Sequence, residues 1–357
     1  MIRKWAAGLV VLALGLTGCG GDAAEVAAPD RGLVGIAMPT KQSPRWIGDG
    51  ENMVAQFGLL GYDTSLQYAD DDTALQVSQI QQMIDDGAKA LVIGAIDGTK
   101  LTGVLAAAAA AKVPVISYDR LIRGTENIDY YATFDNFKVG VQQAGYIVQA
   151  LRLARGGGPY TLELFAGSAD DNNATFFFNG AMSVLQPYIN DGILDVASGE
   201  TSFATVATQR WDGKVAKERM ARLLAGTYAD ERVDAVLSPY DGITRGIIEA
   251  LTEGGYAPTA LPVLTGQDAE LDSVKLIAAG QQGQTVYKDT RELAKVAVQM
   301  VNALVTGGEP MVNDTKQYNN GVKDVPTFLL QPVTVTKDNY QRVLVDGGYY
   351  TAAEIGV

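Results

Sequence analysis

The chain contains no histidine and a single cysteine in 357 residues. Without histidine it lacks the commonest general base and the commonest transition-metal ligand. One cysteine permits neither an internal disulfide nor a thiolate zinc cluster, so no metal and no other cofactor is expected. Basic residues are few beside acidic ones, 28 against 41, which leaves a net charge of −13 and a pI near 4.5. Such a surface repels phosphate backbones and anionic lipid, and nucleic acid is excluded as an expected partner. The chain also has no G-x-x-x-x-G-K-[ST] segment to cradle ATP phosphates. Tryptophan is rare, three in all.

What remains is the composition of a soluble globular protein: 47% hydrophobic, 19% charged, mean hydropathy +0.04. At roughly 150 residues per domain, the length predicts two domains.

The N-terminus carries Arg3 and Lys4, an apolar run from Trp5 to Leu16, and then Leu16-Thr17-Gly18-Cys19. The run is about a dozen residues, short of the ~20 that a spanning helix needs, and reads as the apolar region of a secretion signal. The small residue before Cys19 makes the tetrapeptide resemble a lipobox, in which the signal is removed and the cysteine lipidated. Residues 1–18 are therefore expected to be a lipoprotein signal peptide, and residues 19–31 a tether. The segment GGDAAEVAAPDR is small, polar and aperiodic, a leash of at most ~40 Å. The chain is expected outside the cytoplasmic membrane, held there by its lipid.

From Leu33 the pattern changes. Apolar runs LVGIA (33–37), ALVIGA (90–95), VPVISY (113–118), YTLELF (160–165), DAVLS (234–238) and PVLTG (262–266) read as buried strands. Between them helical periodicity covers 44–60, 73–86, 99–111, 137–153, 174–188, 208–224, 242–253 and 290–305. This alternation predicts doubly wound α/β lobes with parallel sheets covered on both faces. The loop RLARGGGPY before Tyr160 offers a place for the chain to pass between lobes. The run Asp70-Asp71-Asp72 lacks the alternating spacing of a calcium loop and directly precedes a helix, which favours a capping role.

In open parallel sheets, ligands bind at the carboxyl ends of the strands. Four expected strand ends carry an acid: Asp97, Asp119 beside Arg120, Asp241 and Asp268. Asp97 and Asp241 precede helices and serve equally well as helix caps. Asp119-Arg120, with opposite charges side by side, points more strongly to a ligand. Outside the signal the tryptophans are Trp46, in PTKQSPRWIGDG beside Lys41 and Arg45, and Trp211, in TQRWDGK. Core packing is the plainer reading of each. A pyranose, however, offers an apolar C–H face to an indole and a rim of hydroxyls to charged groups, and this residue set suits a neutral sugar.

The segments GIAMPTKQSPRWIGDG, VISYDRLIR, YYATFDNFKVG, LFAGSADDNNATFFFNGAMSVLQPYI, VLSPYDGITRG, GQDAELDSVKLIAAG and TVYKDTREL, in this order, resemble the xylose-binding and multiple-monosaccharide-binding proteins of ABC sugar importers. The resemblance runs from about Leu33 to Tyr350. It implies the type I periplasmic-binding-protein fold, two Rossmann-like lobes joined by a three-segment hinge. Residues 33–135 with about 289–327 would form one lobe, and 136–288 with about 328–357 the other. It further implies that Lys41, Arg45, Trp46, Asp119 and Arg120 face the sugar from the first lobe. Asn173, Trp211, Asp241 and Asp268 would do so from the second, with Lys288 reaching in from a connecting segment. The two tryptophans would stack on opposite faces of the ring. Asp97, Asn172, Tyr240 and Gln267 lie one step from matched positions. Tyr240 stands where xylose binders carry asparagine, which implies a wider aldose range including glucose, galactose and arabinose.

The resemblance implies a monomeric receptor, not an enzyme, whose partners are a monosaccharide and the permease and ATPase subunits of an importer. Two other roles share parts of this pattern. A sensory receptor could present the sugar to a membrane kinase. A sugar-acting enzyme would need a general acid, and the Arg and Lys neighbours would keep these carboxyls ionised.

Overall fold

The computed structural model describes residues 31–357; the expected signal peptide, Cys19 and all of the tether but Arg31 lie outside the described residues. The first lobe runs β1 (Leu33–Met38), α1 (Pro44–Leu59), β2 (Asp63–Tyr68), α2 (Thr73–Asp85), β3 (Ala90–Ile93), α3 (Thr102–Ala110), β4 (Val115–Tyr118), β5 (Tyr130–Phe134). Strands β3 and β4 are buried along their whole length. Such short, wholly buried runs, broken only by Ser117, are what a parallel sheet covered on both faces requires. Helix α1 starts on Pro44, whose fixed φ and missing N–H suit a first turn. Helix α2 is capped by Asp72, which accepts from the N–H of Ala74 and Leu75 at 2.9 and 3.0 Å. The acidic run thus ends in a helix cap, as expected.

The second lobe contains α4 (Asn136–Ala150), β6 (Tyr160–Leu164), α5 (Asn172–Asn190), β7 (Leu194–Asp195), α6 (Phe203–Val206), α7 (Gly213–Ala225), β8 (Ala235–Leu237), α8 (Asp241–Glu253), β9 (Val263–Leu264), α9 (Leu271–Ala279) and β10 (Gln284–Tyr287). The chain then returns through α10 (Thr290–Val305) and β11 (Thr327–Leu330) and ends with β12 (Val333–Thr336) and α11 (Ala352–Ile355).

The first sheet has the order β11-β5-β4-β3-β1-β2 with every pair parallel. The second has the order β7-β6-β8-β9, also parallel. Beside β9, Gly283 N–H donates to Leu264 O at 3.0 Å and Val286 N–H to Gly266 O at 3.1 Å, so β10 extends that edge. Strand β12 pairs antiparallel with β10. The chain therefore crosses between sheets three times, after β5, after β10 and after β11.

The first crossing is placed by glycine. Helix α4 starts two residues after β5 and lies against α5. A Cβ on Gly140 would come within 1.9 Å of Phe177 O, and one on Gly180 within 2.1 Å of Phe137 O. Only hydrogen at both positions allows this backbone contact, so α4 already belongs to the second lobe. The glycine-rich loop before Tyr160 is consequently internal to that lobe, not a passage between lobes. The helix expected from residue 208 begins instead at Gly213. Gln209–Trp211 form a short 3-10 turn in which Arg210 and Trp211 have φ of 54° and 59°, left-handed values that end helical periodicity.

Candidate functional site: the cleft between the lobes

The carboxyl ends of β1 and β4 face those of β6, β8 and β9 across a cavity of about 380 Å³. Arg45, Trp46, Asp119 and Arg120 line it from the first lobe; Asn173, Trp211 and Asp268 line it from the second; Lys288 reaches it from the crossing after β10.

Its centre is an ionic lattice. Arg45, 7% exposed, lies 2.9 Å from Asp119 Oδ2, 3.0 Å from Asp49 Oδ2 and 3.6 Å from Asp268 Oδ1. Helical spacing places Arg45 and Asp49 on one face of α1. Lys288 Nζ stands 3.1 Å from Asp268 and 3.9 Å from Asp119. Burial alone would raise the Asp119 carboxyl, yet the charges of Arg45, Lys288 and Arg120 outweigh it and hold Asp119 below the usual carboxylate range. Asp49 lies deeper. There burial prevails over the Arg45 charge and pushes its carboxyl up to about 6. Tyr118 donates its hydroxyl to Asp49.

Asp119 has φ of 59°, a strained value for a non-glycine residue. Its carbonyl oxygen accepts from Tyr131 Oη at 2.5 Å, Asn173 Nδ2 at 2.7 Å and Thr133 Oγ1 at 3.0 Å. These three donors hold the strained turn that aims the carboxylate into the cleft. Arg120 is fixed from several sides. It stands 3.1 Å from Asp171 Oδ2, donates to Ala95 O at 3.2 Å and stacks over Trp46 at 5.2 Å. Burial raises the Asp171 carboxyl, opposed by the Arg120 charge.

Trp211 meets Phe177 and Tyr240 edge to face, each at 6.1 Å. Its ring lies directly on Gly167, where a Cβ would sit 1.9 Å from Cη2. The Nε1 of Trp211 and Oε1 of Gln267 are buried without a partner. Such atoms cost free energy unless another group satisfies them.

Three expected site residues lie elsewhere. Lys41 is exposed and sits over the Tyr68 ring at 4.9 Å, a cation–π contact outside the cavity. Asp97 lines not this cavity but a smaller adjoining one of about 90 Å³ with Asp71, Arg120, Arg210 and Trp211, and closes its own turn, accepting from the N–H and hydroxyl of Thr99 at 2.8 and 2.6 Å. Asp241 is fully buried behind the cleft. It accepts from Glu270 N–H at 2.9 Å, Gln282 Nε2 at 2.9 Å and Thr285 Oγ1 at 3.0 Å. Burial, reinforced by Glu270, raises its carboxyl strongly. Its work is joining α8 to α9 and β10. Of the neighbouring positions, Tyr240 and Gln267 line the cavity, whereas Asn172 does not.

Sequence reasoning also missed lining residues: Thr40, Ser43, Asp71, Asp171, Phe177, Arg210 and Arg245. Asp171 carried a signal, standing in the same DDNNA segment as Asn173. Arg245 carried none, because one turn into a helix its direction depends on how α8 packs.

Residues 34–309 match the periplasmic binding protein domain. The chain is 57% identical over 351 residues to a multiple sugar-binding periplasmic protein of Azospirillum brasilense, covering 98% of this chain and 96% of that protein. It is 58% identical over 330 residues to a multiple sugar-binding periplasmic receptor of Rhizobium radiobacter, covering 92% and 93%. Among solved structures, an ABC transporter solute-binding protein of Clostridium phytofermentans with bound β-D-glucose superposes with a TM-score of 0.88. Its identity is 46%, over 90% of this chain and 99% of that one. The two parallel-sheet lobes, the three crossings and these matches agree: the chain has the type I fold and belongs to the periplasmic binding protein family.

Proposed function

We propose that the chain is a receptor, not an enzyme, that binds an aldopyranose between its lobes and delivers it to an ABC importer. The observation that carries this reading is the pairing of Trp46 from one lobe with Trp211 from the other, around a rim of Arg45, Asp119, Arg120, Asp268 and Lys288. An indole on each side suits the apolar faces of a pyranose, and fixed charges suit its hydroxyls. Asn173, also on the cavity, and the unpartnered Trp211 Nε1 and Gln267 Oε1 supply further polar atoms. Bound sugar touches both lobes, so it favours the closed arrangement by its differential affinity for it. Relatives named as multiple sugar-binding, and a neighbour holding glucose, support a broad aldose range that includes glucose.

The test is a thermal-shift panel of D-glucose, D-galactose, D-xylose, L-arabinose, sugar acids and amino acids. A ligand at 100 times its Kd adds about 2.7 kcal/mol to the native state. The expected result is a rise in Tm with several aldoses. A rise with amino acids alone would overturn the reading.

The Leu16–Cys19 tetrapeptide supports lipid anchoring on the outer side of the cytoplasmic membrane. Cys19→Ser is expected to move the protein from the membrane to the soluble fraction after lysis. Unchanged membrane retention would remove the anchor.

A further inference from the structure

Ser43 occupies the cap position of α1, with the extended φ and ψ of −94° and 120° that capping residues adopt, yet its hydroxyl makes no bond to the helix. Serine at this position ordinarily accepts from a free N–H of the first turn. Here the hydroxyl crosses the cleft instead and donates to Glu270 Oε1, 3.2 Å away on the second lobe.

Glu270 is 5% exposed and does not line the cavity. Its Oε1 also accepts from Tyr240 Oη at 2.5 Å, and its Oε2 accepts from Arg245 at 2.5 Å. Its backbone N–H is held by the buried Asp241. Tyr240 and Arg245 both face the cavity, and Tyr240 buttresses Trp211. One carboxylate anchored in the second lobe therefore orients two cavity residues and receives a donor from the first lobe.

We propose that Ser43 and Glu270 form an interlobe latch, with Glu270 a positioning residue. When the lobes part, the Ser43 hydroxyl returns to the first-turn N–H groups of α1. When they close, it transfers to Glu270. The hydroxyl has a partner in both arrangements, and in the closed one that partner is a carboxylate of the other lobe. This inference rests on the proposed closure around sugar, and it adds a bond between the lobes that sugar does not make.

The test is a double-mutant cycle read by stopped-flow with D-glucose, together with small-angle scattering of the ligand-free protein. Ser43→Ala is expected to speed glucose dissociation about tenfold with association unchanged, because contacts formed on closing act on the off-rate. Ser43→Thr, which keeps the hydroxyl, is expected to restore the wild-type off-rate. In a Glu270→Ala background, Ser43→Ala is expected to add nothing, the signature of a direct pair. Ligand-free Ser43→Ala is expected to show a larger radius of gyration than wild type. Additive effects, a Thr variant as fast as Ala, or identical radii would each overturn the latch. The radii need no sugar, so a wild-type protein indifferent to glucose would count against the receptor reading while the latch is still decided.

Discussion

Arg45→Ala is expected to abolish sugar binding and to destabilise the fold in the same step. The side chain is the counter-ion of Asp49 and Asp119 at once, and Asp49 is fully buried. Removing one partner of a buried ion pair costs about 3–5 kcal/mol, because the remaining charge has neither water nor an opposite charge. Here Asp49 loses that partner, whereas Asp119 keeps Lys288 at 3.9 Å. Denaturant unfolding measures the loss, and titration with D-glucose measures binding. A second substitution separates the two roles. Asp49→Leu added to Arg45→Ala is expected to recover part of the stability, since it removes the more deeply buried orphan, without recovering binding. Wild-type stability in Arg45→Ala would show that water reaches Asp49 and that the lattice is not a closed unit.

Arg120→Ala is expected to behave differently, with a large loss of affinity and a smaller loss of stability. Its side chain is 13% exposed, at the edge of the cavity. Its partner Asp171 keeps a second bond from Asn173 N–H at 2.9 Å as the cap of α5. Truncating one side of a desolvated charged contact costs about 2–5 kcal/mol of binding, a thirty-fold or greater rise in Kd. Calorimetric titration with D-glucose measures it directly, and wild-type affinity would remove Arg120 from the site. The two arginines thus give a paired experiment: both weaken binding, and only Arg45 carries the fold with it.

The doubly wound lobes were legible because β1, β3 and β8 are apolar runs and β4 and β6 are buried runs broken only by Ser117 and by Thr161 and Glu163, the mark of strands covered on both faces. Strand β2 (DTSLQY) was not, since its side chains are half-buried or exposed and its pattern is mixed. The turn at Arg210 and Trp211 was read as helix because a local periodicity holds no record of left-handed φ. With both residues in that conformation, Trp211 packs closely against Gly167. Asp97 and Asp241 show the same limit from the other side. Each follows a strand, as a ligand contact would, and each gives its carboxylate a protein donor that the sequence pattern does not show.

By itself, then, the sequence determined the α/β class, the alternation of strands and helices, the acidic and histidine-free chemistry, and the acids gathered at strand ends. These follow from local patterns, because hydrophobic period and strand-end position are properties of short segments. Only the tertiary structure decided where the chain changes lobes, which of the acids face the cleft, and that Ser43 gives up its own helix for Glu270. Those outcomes depend on which distant donor reaches a side chain first. That is set by the packing of one lobe against the other, and no window of sequence contains both partners.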